Sequence, residues 1–380
     1  METINSNKAL FISLKDYLKG VYKYTDINKA HIITLAMLIT GLILSPHVQL
    51  FAIAMCLPFN RKLQSLIRRF ERFVADNRID VGIFFKPFVI AMIHALGNET
   101  AYLIIDCTKA GRKCRTIFIG LAYHGTIIPI AWYTIKGKKG HVKGKFQEEL
   151  LAKAYEMFKY HHRIVVLGDA EFSNETVISS LKLKELGFVF RFQSNYLIQL
   201  EKDGPWLSAR EIFEASGMKP GEVRHFKVFA YTEAHIIPGL TMTIHWGEDE
   251  EEPLFLISYL NADEQPHLIY KMRFWVETLF GNYKSRGFQL ARTQMVTPEH
   301  IDRLVLGIAI ATCFILGLGT ELIITEQPDL VDRADRRDLS LFQLGWRWLH
   351  RLIALDRLDE LKILFRWDFK LSPPGFQPKT

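Results

Sequence analysis

The stretch YKMRFWVETLFGNYK, residues 270–284, places Tyr270, Arg273, Glu277 and Lys284 at offsets of 0, 3, 7 and 14. At about 100° per residue, these four side chains fall within an arc of roughly 60° over about four helical turns. One acid between two cations and a phenol is an odd face for a core helix and a suitable one for holding phosphate. Two further acids each close an apolar run: Asp106 in LIIDCT and Asp169 in VVLGDAEF. An acid that finishes a run of Ile, Val and Leu cannot stay buried uncompensated; it needs a cation, a hydrogen-bond network or a metal. Three carboxylates from separate elements suit hard divalent cations such as Mg2+, which take oxygen ligands. A pair of such ions can activate water and stabilise the leaving oxygen in phosphodiester cleavage. On this reading Asp106, Asp169 and Glu277 are both catalytic residues and metal ligands. Arg273 and Lys284 then hold neighbouring phosphates, and Tyr270 either offers one its hydroxyl or is a packed tyrosine.

The elements that must position these residues follow from the pattern around them. Residues 1–95 read as helical, with breaks at SPH and LPFNR. In NRKLQSLIRRFERFVAD, Asn60 suits an N-cap and Leu63, Leu66, Ile67, Phe70 and Phe73 gather on one side. Arg61, Lys62, Arg68, Arg69 and Arg72 lie mostly elsewhere, as on a helix that runs along a DNA backbone; a solvated basic face is the plainer alternative. From about residue 100 the texture becomes that of strands: AYLIIDCT, then CRTIFIGLAY and TIIPIAWYTI joined by the turn YHG. The lysine-rich KGKKGHVKGK follows, in which Lys138 and Lys139 are candidate DNA contacts, an inert exposed loop being the equal alternative. A helix, the strand ending at Asp169, a second helix and the strand FVFRFQSN complete an α/β sheet of mixed direction. Residues 195–261 hold short β runs between polar turns and read as a β-rich insertion. A helix near 299–318 and an amphipathic stretch, FQLGWRWLHRLIALDRLDELKILF, suited to packing or to a dimer surface, close the chain.

The bulk numbers narrow the partners. The chain has 380 residues, enough for two or three domains, and its net charge of +7 favours polyanions. Its four cysteines form no CxxC pair, which argues against a disulfide framework or structural zinc and fits a reducing cytoplasm. The N-terminus reads as no signal peptide. Residues 31–60 contain no Asp, Glu, Lys or Arg, and 304–319 are also apolar; both read as buried core helices rather than membrane spans. No GxGxxG or GxxxxGK[ST] occurs, so no nucleotide cofactor is implied, and no GxSxG or HExxH occurs either.

With these residues in view, the sequence resembles a known family. Asp106, Asp169 and Glu277 resemble the acidic triad of DDE transposases, which have an RNase H-like catalytic domain. Tyr270, Arg273, Glu277 and Lys284 match the Y-x2-R-x3-E-x6-K signature of a large bacterial insertion-sequence subclass, and FVFRFQSN resembles that subclass's strand carrying an arginine, here Arg191. The likeness covers about residues 100–320. It implies an α/β fold laid out as an N-terminal helical DNA-binding domain (1–95), an RNase H-like core in two parts (96–194 and 262–320), a β-rich insertion (195–261) and a helical C-terminal region (321–380). It further implies two Mg2+ ions, with Mn2+ able to substitute, a homodimer on paired DNA ends, and work in the bacterial cytoplasm at the nucleoid. A tryptophan of the insertion would stack on a flipped base, Trp246 first and Trp206 behind it. One departure is Glu171, an extra acid beside Asp169, expected at the surface or else as a partner supporting Asp169. The expected activity is binding of transposon-end inverted repeats, phosphodiester cleavage and joining of the freed 3′-OH to target DNA. A nuclease of similar fold that does not join, or an inactive DNA-binding relative, are the alternatives.

Overall fold

A computed structural model describes residues 6–45, 47–137, 142–231, 236–358, 361 and 365–370. Five helices open the chain: α1 (Ser6–Val21), α2 (Lys29–Leu44), α3 (Leu50–Met55), α4 (Leu63–Ala75) and α5 (Val81–Leu96). Helix α2 has apolar residues on every side and is buried almost all round. By contrast α4 is sharply two-faced, burying Leu66, Phe70, Phe73 and Val74. It starts later than the sequence suggests. Backbone bonds from Phe59 N–H to Leu57 O and from Arg61 N–H to Phe59 O turn the chain first, so Lys62, not Asn60, is the N-cap.

The sheet follows. Strands β1 (Ala101–Ala110), β2 (Cys114–Tyr123) and β3 (Thr126–Lys136) form an antiparallel meander. Next come α6 (Gly144–Phe158), β4 (Ile164–Gly168), α7 (Glu175–Leu183) and β5 (Gly187–Arg191). Strand β4 pairs parallel to both β1 and β5, and α6 and α7 supply the crossovers that parallel pairing requires. The stretch expected to be an insertion holds β6 (Leu197–Gln199), β7 (Trp206–Ser208), α8 (Ala209–Ser216), β8 (Val223–Val228), β9 (Ala230–Tyr231), β10 (Leu240–His245) and β11 (Leu254–Ser258). Three of these strands extend the main sheet, whose order is β3-β2-β1-β4-β5-β11-β10-β8; the others form the small sheet β7-β6-β9.

After the sheet come α9 (Pro266–Tyr270), α10 (Trp275–Tyr283), α11 (Pro298–Ile324) and α12 (Leu341–Ala354). Helix α11 is the pillar of the molecule. It packs on β3, on α2, α4 and α5, and on α12, so one apolar core runs from the first helices through the sheet to the last. Its buried Arg303 ties the α4–α5 connection by donating to the carbonyls of Val74 (2.8 Å) and Ile79 (3.2 Å) and to Asn77 Oδ1 (3.0 Å). The helix is 27 residues long, outrunning the expected 299–318. Glycines there do not end it; they let α12 approach. A Cβ on Gly319 would stand 2.1 Å from the Leu341 carbonyl oxygen, and one on Gly345 would stand 1.9 Å from that of Ile315. The apolar side of α12 (Leu341, Phe342, Leu344, Leu349) is therefore a packing surface. Among the described residues α11 alone is long and apolar enough to cross a membrane, and 94% of its most apolar window is buried inside the protein.

Candidate active site

Strands β1 and β4 run parallel with Ile105 beside Gly168. The next residue on each is an aspartate, so Asp106 and Asp169 stand side by side where β4 ends. Asp106 is not itself a strand end, contrary to the sequence reading. Strand β1 continues to Ala110 because β2 pairs with it along that length. Each aspartate has one oxygen tied to backbone. Cys107 N–H donates to Asp106 Oδ1 (2.6 Å), and Ala170 N–H donates to Asp169 Oδ1 (2.8 Å), capping a 3-10 turn at Ala170–Phe172. Those bonds aim both Oδ2 atoms the same way.

They aim at Arg273. Its Nη2 donates to Asp106 Oδ2 (3.1 Å) and to Asp169 Oδ2 (3.3 Å), and its Nη1 reaches Glu277 Oε1 (3.4 Å). The site opens outward from strand to helix: side-chain exposure is 17% for Asp106, 41% for Asp169 and 63% for Glu277. Burial raises the pKa of Asp106; Arg273 and the Cys107 N–H pull it back, while Asp169 and Glu171 add to the rise.

The stretch carrying Arg273 is not one helix. A 3-10 turn over Lys271–Phe274 separates α9 from α10. Residues three apart eclipse in a 3-10 turn, and Arg273 and Glu277 still meet at i,i+4. The outer two residues of the expected stripe go elsewhere. Tyr270 is only 2% exposed, because α9 packs down on β5, β10 and β11; burial raises the pKa of its phenol and nearby Asp169 adds to the rise. Lys284 lies where the backbone leaves α10, exposed, with its ammonium 5.6 Å from the centre of the Phe280 ring.

Two further residues support the site, of which Glu171 takes the second of its two expected roles and Arg286 has no place in the sequence reading. Glu171 is not a surface residue: its Oε1 accepts from Val142 N–H (2.5 Å) and its Oε2 lies 3.6 Å from Arg115 Nη2, with a side chain 17% exposed. The extra acid therefore braces the turn after Asp169 against β2 and the start of α6. Arg286 crosses α10 over Gly281, where a Cβ would stand 1.8 Å from its Nη2, and donates to the Glu277 carbonyl (3.3 Å). The only sequence signal for it was the basic cluster KSRG following Tyr283.

All three donors are carboxylates, the hard ligands that Mg2+ and Mn2+ take, and they already share one cation. The guanidinium stands among them, and among the described residues no three His, Cys, Asp or Glu side chains are close enough to enclose one ion.

A family model described as a transposase DDE domain matches residues 102–314, which is more than half of the chain and includes all three acids. The chain belongs to that family. As a DDE transposase it is an enzyme of DNA transposition. Among solved structures it is similar to the piggyBac transposase in a synaptic complex with hairpin DNA, at 13% identity and a TM-score of 0.41, over 93% of this chain and 80% of that one. A score of that size does not establish a shared fold. No curated protein matches the sequence.

Among the described residues, the other candidates of this transposase form no hydrogen bond or ion pair with the three acids. Arg191 ends β5, exposed, and lies near enough to Tyr270 to lower that phenol's pKa in part. Trp246 follows β10; its indole N–H donates to the Glu250 carbonyl (2.8 Å) and its ring meets Phe213 edge-on at 5.3 Å. Trp206 begins β7, partly exposed. Arg61, Lys62, Arg68 and Arg72 are exposed, whereas Arg69 turns inward and donates from Nε to Thr34 Oγ1 on α2 (2.9 Å). Lys138 and Lys139 lie outside the described residues.

Proposed function

We propose that this enzyme binds the inverted repeats of a bacterial insertion sequence, cleaves their phosphodiester bonds and joins the 3′-OH ends to target DNA. The observation that carries the reading is the convergence on a single cation of Asp106 from β1, Asp169 from just past the end of β4 and Glu277 from α10. The strand order β3-β2-β1-β4-β5, in which only β2 opposes β1, supports reading this part as the RNase H-like catalytic core. In this account the three carboxylates would hold two Mg2+ or Mn2+ ions, which when bound would supply activation of a water or hydroxyl and stabilisation of the leaving oxygen.

The protein's own groups do the rest. The backbone bonds on Oδ1 of Asp106 and Asp169 hold the Oδ2 atoms toward the site before DNA arrives. Lys284, Arg286 and Arg191 edge the site with positive charge and register the DNA backbone. Trp246 is tied within its own loop yet partly exposed, which suits an aromatic face offered to a base. Tyr270, being buried, seats the Arg273 turn on the sheet rather than offering its hydroxyl to phosphate. The exposed cations at the start and outer side of α4 suit the flanking DNA, with the chain working in the cytoplasm as a dimer on paired ends. A pre-cleaved repeat end with a free 3′-OH, incubated with the protein, Mn2+ and plasmid, tests joining. Joined product supports transposition; cutting without joining would leave a nuclease, and binding without either an inactive relative.

A further inference from the structure

We propose that Arg273 is an internal counter-ion of the acidic site, exchanged for divalent metal when a DNA phosphate takes over its guanidinium. The idea rests on the three acids being the metal ligands, as proposed above, and it concerns how they are loaded.

Three features point to exchange rather than to a fixed structural ion pair. First, the contested atoms coincide. With Oδ1 of Asp106 and of Asp169 each accepting a backbone N–H, Oδ2 is the oxygen each turns into the site, and Arg273 Nη2 holds both. A metal ion shared by those two oxygens, at about 2.0–2.1 Å from each, would take the place between them where Nη2 now stands, so the guanidinium has to move. Second, the arginine is incompletely satisfied. Its Nε is buried and has no hydrogen-bond partner among the described residues, although a fully structural guanidinium would use all five N–H groups. Third, it has a route out. It stands on the 3-10 turn between α9 and α10, a geometry with weaker hydrogen bonds that often marks a hinge. Beside it Phe274 is 52% exposed, and the guanidinium carbon already lies 5.5 Å from the centre of that ring, a face on which a cation can rest.

The guanidinium cannot leave the carboxylates for nothing, and a phosphate oxygen pair is the partner it matches best. Metal and DNA phosphate therefore assist each other, and by linkage the assistance is equal in both directions. Without DNA the acids stay engaged with Arg273 and hold metal poorly, which keeps the free enzyme from nicking at random.

The test is Mn2+ binding to the full chain, read by electron paramagnetic resonance, for wild type, Arg273→Gln, Arg273→Lys and Asp106→Asn. Duplex affinity with and without Mn2+ is read in parallel by fluorescence anisotropy. Without DNA, Arg273→Gln is expected to bind Mn2+ roughly tenfold tighter than wild type, equivalent to about 1.4 kcal/mol. Arg273→Lys, whose single ammonium cannot span three carboxylates, should shift the same way by less, and serves if the Gln variant does not fold. Mn2+ should tighten duplex binding in wild type more than in Arg273→Gln. Equal or weaker Mn2+ binding in both arginine variants, with Asp106→Asn still losing Mn2+, would overturn the exchange alone. Unchanged Mn2+ binding in Asp106→Asn would overturn the metal site and the exchange with it.

Discussion

Asp106, Asp169 and Glu277 are three anions gathered around one guanidinium, whereas His225, His245 and His267, on the adjoining wing of the sheet, are three rings gathered against one another. The histidines come from β8, β10 and α9, and the His267 ring lies 5.2 Å from that of His245 and 6.1 Å from that of His225. The register explains the pairing on the sheet: Thr243 opposes His225 and Val223 opposes His245, so both rings occupy one face. His225 Nδ1 bonds Thr243 Oγ1 (2.9 Å), while His267 Nδ1 is buried and has no partner among the described residues. The His267 pKa is pushed down to about 4 by burial, then by His245, His225 and Lys271; those of His225 and His245 are also lowered, with Glu250 pulling the last one back. One group of like side chains thus holds by compensation and the other by staying neutral. The acids fail when they lose a cation, the histidines when they gain protons, and the segment 267–277 joins the two.

That contrast is open to direct attack. The largest effect belongs to the acids: Asp106→Asn, Asp169→Asn or Glu277→Gln should lower DNA cleavage by roughly 10^3-fold or more while leaving duplex binding intact, measured by single-turnover cutting beside anisotropy. Next is the cation that groups them. Arg273→Gln leaves three carboxylates facing one another, and without metal should cost about 1–2 kcal/mol of stability, discounted because Asp169 and Glu277 are partly in water. Denaturant melts with and without Mn2+ check this, since the ion should restore much of the loss.

The histidines call for a pH series. A group whose folded pKa is depressed contributes stability above its unfolded pKa, lost as pH falls through the folded value. For His267 that window runs from about 6.5 down to about 4. His267→Gln should flatten the acid loss there by about 1 kcal/mol, the full linkage value being reduced for solvent screening. If the variant melts in parallel with wild type across that window, the rings are packed for reasons other than neutrality. The smallest effect is expected at Lys284, which is exposed where the backbone leaves α10. Lys284→Ala should leave stability within about 0.5 kcal/mol and weaken duplex binding with a salt slope shallower by about one unit.

Much of this site can be read from residue types and spacing, and the rest depends on partners distant in the chain. The two aspartates after apolar runs and the Arg273–Glu277 spacing point to one place because strand pairing and helix period act locally. That Asp106 sits within a longer strand depends on β2, which extends β1 beyond the point where β4 stops. Glu171 reads as a surface acid because nothing nearby in sequence announces Arg115 or the Val142 N–H. Which of its two readings Tyr270 takes depends on the sheet beneath it and on a 3-10 turn, and a uniform helical period takes no account of either. The mixed α/β architecture follows from the alternation of apolar runs and helical periodicity. The joining of β8, β10 and β11 to the main sheet does not, since edge pairing is a tertiary choice.

The most direct test of the account is to label the inverted repeats flanking this gene and map cuts made by the purified protein in Mg2+ or Mn2+, beside Glu277→Ala. The account predicts cuts at the repeat boundary in the wild type and none in the variant, with both proteins binding the repeats alike. Boundary cuts by Glu277→Ala at the wild-type rate would show that the three acids around Arg273 are not the cleaving site.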